Sequence, residues 1–265
     1  MMHVFAFVNQ KGGCGKTTTA VNLAGALAAR GSRVLLVDLD PQAHATMALG
    51  HAVLDEITVR EVLERGAPLE SGIVEAEGGV ALLPADARLV EFEETSARAL
   101  HPESKLALAL QGCTRPFDVV VLDCPPRTEG VLAANALRAA DTAVLVVEAG
   151  AFALQGALKA RALLEEKALL RAEPFSLRAV GTLFDRRSRI ARDLLIGIHA
   201  RFGEILFDTV IHSSAKLREA AAVGRPIHAL DPRSSAALDF QALADEIELH
   251  AQERRAATEA ALQET

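Results

Sequence analysis

Several classes of protein are excluded by what this chain lacks. No stretch is apolar over enough residues to span a bilayer, and the apolar run His3–Val8 is too short, and too directly followed by glycines, to be a signal peptide or an anchor. Cysteine is scarce. Cys14, Cys113 and Cys124 form an odd, widely spaced set, which argues against a disulfide framework and for ordinary thiols in a reducing cytoplasm. There is no internal repeat, low-complexity tract or convincing linker. Positive charge is in deficit, with 28 Lys and Arg against 35 Asp and Glu and a net charge of −7, which on its face argues against a nucleic-acid partner. What the chain does have is 50% hydrophobic residues over 265 positions, enough for the core of one large α/β domain.

Hydrophobic patterning predicts strands at 3–9, 33–38, 80–84, 118–123, 142–148, 177–184 and 205–211. Helices are expected at 16–30, 103–112, 130–140, 151–171, 188–202, 214–222 and 234–258. Such alternation reads as an α/β fold, a mostly parallel twisted sheet flanked by helices on both faces, with ligands at the carboxyl ends of the strands. The domain is expected to occupy 1–250, and 251–265 to form a charged tail of the last helix that frays beyond its last packed turn. Gly66 to Gly79 is the least regular region and reads as an exposed connection.

Between the first strand and helix lies Gln10-Lys11-Gly12-Gly13-Cys14-Gly15-Lys16-Thr17-Thr18. The usual phosphate-binding pattern G-x-x-x-x-G-K-[ST] needs a glycine where Gln10 stands, so it fails by one residue. Its chemistry survives. Three glycines let backbone N–H groups turn inward around phosphate oxygens, and the helix N-terminus adds its positive dipole end. Lys16 is placed for the β- and γ-phosphates, the Thr17 hydroxyl for Mg²⁺, and Thr18 for the α-phosphate. Strand, glycines, Lys-Thr and helix together specify a P-loop NTPase rather than a simple turn. For Lys11, the residues alone leave a solvated loop lysine equally open.

The segments Lys11-Gly12-Gly13-Cys14-Gly15-Lys16-Thr17-Thr18, Val34–Gln42 with Asp38-Leu39-Asp40-Pro41, and Val121–Pro126 with Asp123 resemble the deviant Walker ATPases of the ParA/Soj partitioning family. Thr209–Ala220 and Gly224-Arg225-Pro226-Ile227 follow the same pattern, so the resemblance runs from about residue 3 to residue 248. It implies a single-domain P-loop NTPase that hydrolyses ATP to ADP and phosphate with Mg²⁺. Asp123 ends an apolar strand, where P-loop architecture holds Mg²⁺ through water, although a strand-end carboxylate also caps a following segment. Asp40 resembles the family residue that orients the attacking water, against the alternative of a common Asp-Pro turn, and Asp38 is expected to support the loop by hydrogen bonding. The implied catalytic set is Lys11, Lys16 and Asp40, and the metal set Thr17, Asp40 and Asp123.

In the family two ATP-bound subunits meet face to face, and the resemblance gives Lys11 the role of crossing to the partner's nucleotide, much as an arginine finger does. Asp185 and His212 are the candidates beside the adenine. His212 departs from an expected proline and His44 from an expected asparagine, and a lone histidine is more often local packing than a specific contact.

Charge is unevenly distributed. From Asp185 to Arg233 the chain carries nine Lys or Arg against six Asp or Glu, so this stretch is net +3 and the remainder −10. A solvated arginine face with an Arg189–Asp193 ion pair is the bland reading. The resemblance favours nonspecific double-stranded DNA held by Arg187, Arg189, Arg192, Lys216 and Arg218 on an ATP-dependent homodimer. No helix-turn-helix segment precedes the loop, so phosphate contacts with little sequence preference are expected. A ParB-like or other adaptor that stimulates slow hydrolysis, and a cytoplasmic, nucleoid-associated location without membrane binding, are likewise implied only by the resemblance. Three rivals are weaker. A Min-type membrane ATPase would end in a basic amphipathic helix, whereas Ile247–Arg255 is too acidic for that and too poor in bulky apolar residues. A nitrogenase-like reductase needs cysteines spaced to share a cluster, and a small-molecule P-loop kinase would phosphorylate an acceptor instead of releasing phosphate.

Overall fold

In the computed structural model, which describes residues 2–263 apart from 55, 97, 98, 151, 152 and 172, the run His3–Val8 forms β1 with all six residues buried. Next come α1 (Lys16–Ala29), β2 (Val34–Asp38), α2 (His44–Ala48), α3 (Val59–Arg65), β3 (Val74–Ala76), β4 (Val80–Leu83), α4 (Leu89–Thr95) and α5 (Lys105–Gln111). The second half comprises β5 (Val119–Asp123), α6 (Val131–Ala139), β6 (Thr142–Glu148), α7 (Ala153–Leu169), β7 (Ser176–Phe184) and α8 (Arg189–Phe202). It closes with β8 (Leu206–His212), α9 (Ala215–Ala222), α10 (Ile227–Leu230) and α11 (Ser235–Gln263). The eight strands form one sheet in the order β3-β4-β2-β5-β1-β6-β7-β8, parallel except where β3 runs antiparallel to β4.

The two-residue period of a strand divides the apolar runs between two cores. Val4, Ala6 and Val8 of β1 join Leu35, Val37, Val120 and Leu122 on one face, under α3 to α8. Phe5 and Phe7 join Leu36, Val121 and Val146 on the other, under α1 and α11 through Leu23, Leu27, Phe240 and Ile247. Both faces are thus covered, as the strand–helix alternation predicts. Helix α1 is drawn against the segment entering α10: a Cβ on Gly25 would lie 2.5 Å from that of Pro226, and Asn22 Oδ1 accepts the Ile227 N–H at 2.7 Å.

Several regions differ from the sequence expectation, among them the short helices α2, α4 and α10, which were not expected. The connection at 66–79 contains β3, whose three residues are too few for a readable alternation. Helix α3 was not expected, although Thr58 and Glu61 cap its start reciprocally, a recognised signature. Helix α11 continues past residue 258, with Ala251 buried and Arg255 Nη2 donating to Asp118 O at 3.0 Å. The expected helix start at 151–152 and the last two tail residues lie outside the described residues.

At the amino ends of the strands, away from the loop, Thr142 Oγ1 contacts His3 Nε2 at 2.9 Å, His250 Nε2 at 3.1 Å and Ser176 Oγ at 2.8 Å. Burial first, then neighbouring positive groups, lowers His3 to about 3 and His250 to about 4. Both rings fold neutral. The unfolded chain therefore binds more protons as pH falls below the ordinary histidine value of about 6.5, and stability falls with it. His250→Gln keeps a polar partner without titrating, so its urea midpoint should depend less on pH between pH 7 and 5 than that of the parent.

Candidate functional site

The loop between β1 and α1 is fastened at each of its early residues. Asn9 Nδ2 donates to Val146 O at 2.6 Å, and Asn9 Oδ1 accepts the Lys11 N–H at 3.0 Å. Gln10, the residue that breaks the usual pattern, has its own partner, donating through Nε2 to Thr128 Oγ1 at 2.9 Å. Thr182 Oγ1 of β7 donates to Cys14 O at 2.7 Å. Gly15 turns the chain into α1 at φ 93°, a left-handed conformation that a side chain would strain. Asn9, Gln10, Thr128 and Thr182 were not foreseen as site residues, because their bonds span more than a hundred residues of chain and leave no local mark. Burial raises the Cys14 and Cys124 thiols, so both stay protonated, in keeping with ordinary thiols.

Lys16 is 6% exposed and donates through Nζ to Lys11 O at 3.2 Å, so its ammonium lies over the loop it belongs to. Lys11 points elsewhere. Its side chain is 55% exposed and pairs with Glu148 at the carboxyl end of β6. Glu148 too was missed, although an acid closing an apolar run has the same pattern as Asp123.

Asp38 and Asp123 are register partners on the neighbouring strands β2 and β5, and both are fully buried. Their environments differ. Asp38 accepts from the Thr46 N–H at 2.9 Å, the Thr46 hydroxyl at 2.8 Å and the Asp40 N–H at 3.1 Å, the loop-supporting role expected of it. Burial still raises its carboxyl. Neither oxygen of Asp123 has a hydrogen-bond partner among the described residues. Burial, then the Asp38 charge, pushes it well above the usual carboxylate range, and the nearby Thr17 side chain and Lys16 charge offset only part of this. Asp40 is nearly buried and accepts the Gln42 N–H at 3.0 Å, a turn contact of the Asp-Pro kind.

An orphaned, buried carboxylate beside a threonine hydroxyl and a phosphate-binding loop fits a hard divalent cation that takes its remaining ligands from water and phosphate. Among the described residues no group of three or more His, Cys, Asp or Glu could hold a metal alone. A mostly apolar cavity of about 460 Å³ between α1, α2 and α9 opens onto Thr17 and Thr18, with His44 and Leu217 in its walls.

Asp185 and His212 line a second cavity of about 240 Å³ at the carboxyl ends of β7 and β8. Helices α8 and α9 follow these adjacent strands, so Arg189 and Arg192 of one and Lys216 and Arg218 of the other begin at the carboxyl edge of the sheet, although α8 packs on one face through Ala191 and Ile198 and α9 on the other through Leu217 and Ala220. Among the described residues Arg187, Arg189 and Arg192 form no ion pair, and the Arg189–Asp193 bridge of the bland reading is absent; Lys216 pairs with Glu219 at 3.2 Å. Arg186 differs from its neighbours, being tied to Asp239 at 2.9 Å.

Comparison with known proteins agrees with this geometry. A family model described as an AAA domain matches residues 2–169. The chromosome-partitioning ATPase Soj of Thermus thermophilus is 42% identical over 249 residues, covering 94% of this chain and 96% of that protein. The chain belongs to the ParA/MinD superfamily of P-loop ATPases. Within this superfamily, MinD of Pyrococcus horikoshii, solved with Mg-ADP, superposes with a TM-score of 0.74 at 26% identity over 96% of this chain and 99% of that one. Cobyrinic acid a,c-diamide synthase of Mycobacterium smegmatis, solved with ADP and magnesium, gives a TM-score of 0.81 at 31% identity, covering 94% and 95%.

Asp123→Asn should separate the cost of the buried charge from its use. Without nucleotide the variant should be more stable at pH 8 by on the order of 1–3 kcal/mol, and less so at pH 5, where Asp123 is protonated more of the time. In thermal melts the added stabilisation by Mg²⁺ with ADP, over ADP alone, should be lost.

Proposed function

We propose that this ATPase is a dimerisation switch: ATP and Mg²⁺ bind at Lys11–Thr18, two loaded subunits associate, and the dimer holds DNA nonspecifically while it positions a cargo. The observation that carries this reading is the pair of lysines in one loop, Lys16 buried over the loop and Lys11 with its side chain exposed and paired with Glu148. Lys16, Thr17 and the Asp123-bound cation would neutralise the phosphates, the bound Mg²⁺ supplying charge where it develops on the transferring group. Asp40 would orient water for attack, with Asp38 holding its segment in place through Thr46. Lys11 would leave Glu148 and add its charge to the partner's nucleotide.

The DNA surface rests on positive charge at helix starts, which among the described residues is unpaired except at Lys216, the partner of Glu219. Arg189 and Arg192 stand in the first turn of α8, and Lys216 and Arg218 in that of α9, where the dipole end is already positive. Cations there repel the helix end unless an anion approaches. The high identity to a partitioning ATPase supports a chromosome, plasmid or protein assembly as cargo, an adaptor of the ParB kind as stimulator of slow hydrolysis, and a cytoplasmic, nucleoid-associated location. Among the described residues no helix is long and apolar enough to cross a membrane.

Light scattering after size exclusion tests the switch. Asp40→Ala should bind ATP without hydrolysing it and elute as a dimer only with ATP, and adding Lys11→Ala should return it to a monomer. A dimer indifferent to Lys11 would overturn the trans role. For DNA, affinity should require ATP and fall steeply with salt. Arg189→Ala with Lys216→Ala should weaken binding and lower the log–log salt slope by roughly two for each subunit of the dimer that touches DNA, one per lost phosphate contact. Unchanged affinity in the double variant would remove this patch from the DNA surface.

A further inference from the structure

The 240 Å³ cavity adjoins the phosphate loop. Thr182, which bonds Cys14, and Leu183, which approaches Gly15, immediately precede its lining residues Phe184 and Asp185. A ligand with phosphates on Lys11–Thr18 can therefore bring its far end here, as a nucleotide brings its base. The floor is apolar, from Phe184 and Val210, and the polar groups are Asp185, Arg186, Arg192 and His212.

One carboxylate outside the cavity fixes the hydrogen-bonding character of that histidine. Asp239 of α11, 10% exposed, accepts from Arg186 Nη2 at 2.9 Å, from the His212 backbone N–H at 3.0 Å and from His212 Nδ1 at 2.9 Å. An ionised carboxylate only accepts, so Nδ1 carries the ring proton. Arg186 Nη2, 3.3 Å from Nδ1, is likewise turned to the carboxylate. In the neutral ring Nε2 is then a bare acceptor, and among the described residues no protein group bonds it.

We infer that His212, held in this tautomer by Asp239, selects the base: Nε2 accepts the 6-amino group of adenine and opposes the 6-oxo group of guanine or hypoxanthine, acceptor against acceptor. The inference rests on the reading of the loop as a nucleotide site and adds to it the residue pair that chooses the purine. Asp239 is a positioning residue, and His212 the one that touches the base.

Equilibrium binding of ADP and IDP, by displacement of a fluorescent ADP analogue, tests this without reference to activity. These ligands differ at the 6-position and share phosphates and sugar. The parent should prefer ADP by at least about tenfold, as a site built around one hydrogen bond rejects the analogue that cannot make it. Asp239→Asn offers Nδ1 an amide donor and allows the other tautomer, so the preference should collapse to about twofold or less. Pyrophosphate competition should remain unchanged in this variant. His212→Gln, whose amide turns to present either donor or acceptor, should lose the preference while still binding ADP, and it decides the matter if Asp239→Asn fails to fold. Full discrimination retained in His212→Gln, or a parent that binds ADP and IDP equally, overturns the base-selecting role alone. A parent that binds neither overturns the nucleotide reading itself.

Discussion

Two carboxylates buried side by side constrain the rest of this molecule. Asp38 and Asp123 end neighbouring strands in register and have no exposed surface, so two negative charges share a low-dielectric space. The chain resolves one of them internally. Thr46 and the Asp40 backbone give Asp38 three donors, and Thr46 Oγ1 in turn accepts the Ala85 N–H at 3.0 Å, tying the ends of β2 and β4 together. Asp123 has no hydrogen-bond partner among the described residues, and the Lys16 charge offsets only part of the cost of burying it beside Asp38. A structural carboxylate and an unsatisfied one are thus made from the same residue type on adjacent strands. The difference marks which of them awaits a ligand, because a native chain rarely leaves a buried polar group without a partner except where function requires it.

What could be read in advance follows from the range of each interaction. The strands around β1 announce themselves as apolar runs because both sheet faces are covered, and Lys16, Thr17 and Asp123 stand at the junctions those runs define. Local chemistry sufficed there. The fastening of the loop was not legible, since Gln10 to Thr128, Asn9 to Val146 and Cys14 to Thr182 are contacts that only the strand order creates. The same reason corrects the arginine run. Arg186 looks like its neighbours in sequence, yet Asp239, 53 residues further on, occupies it, whereas among the described residues Arg187, Arg189 and Arg192 form no ion pair. Helix α3 shows the opposite case, a capping box in plain view that a helix of seven residues made easy to overlook.

Gln10 is where the loop departs from the usual pattern, and its side chain makes a contact that a glycine could not. A glycine there would leave the preceding strand end free to turn. Gln10 instead reaches the β5–α6 connection, whose first residues follow Asp123, so the loop and the acid strand are joined by a side chain as well as by the sheet. The neighbouring Lys11 is then held by its backbone on one side and exposed at its tip on the other. A fixed backbone and an exposed ammonium paired with Glu148 suit a residue proposed to act beyond its own loop.

The placement of the basic residues bears on how nucleotide and DNA would communicate in the proposed cycle. Arg192 lines the cavity beside Phe184 and Asp185 and also belongs to the first turn of α8, with Arg189. A ligand in the cavity and an anion at that helix start therefore meet the same side chain. Coupling of this kind needs no long pathway. If an occupied cavity turns Arg192 outward, DNA binds more tightly to the loaded protein, and linkage requires that DNA tighten the nucleotide by the same factor. Arg192 would then act with Lys11 as a second element of the switch, one facing the partner subunit and the other facing DNA.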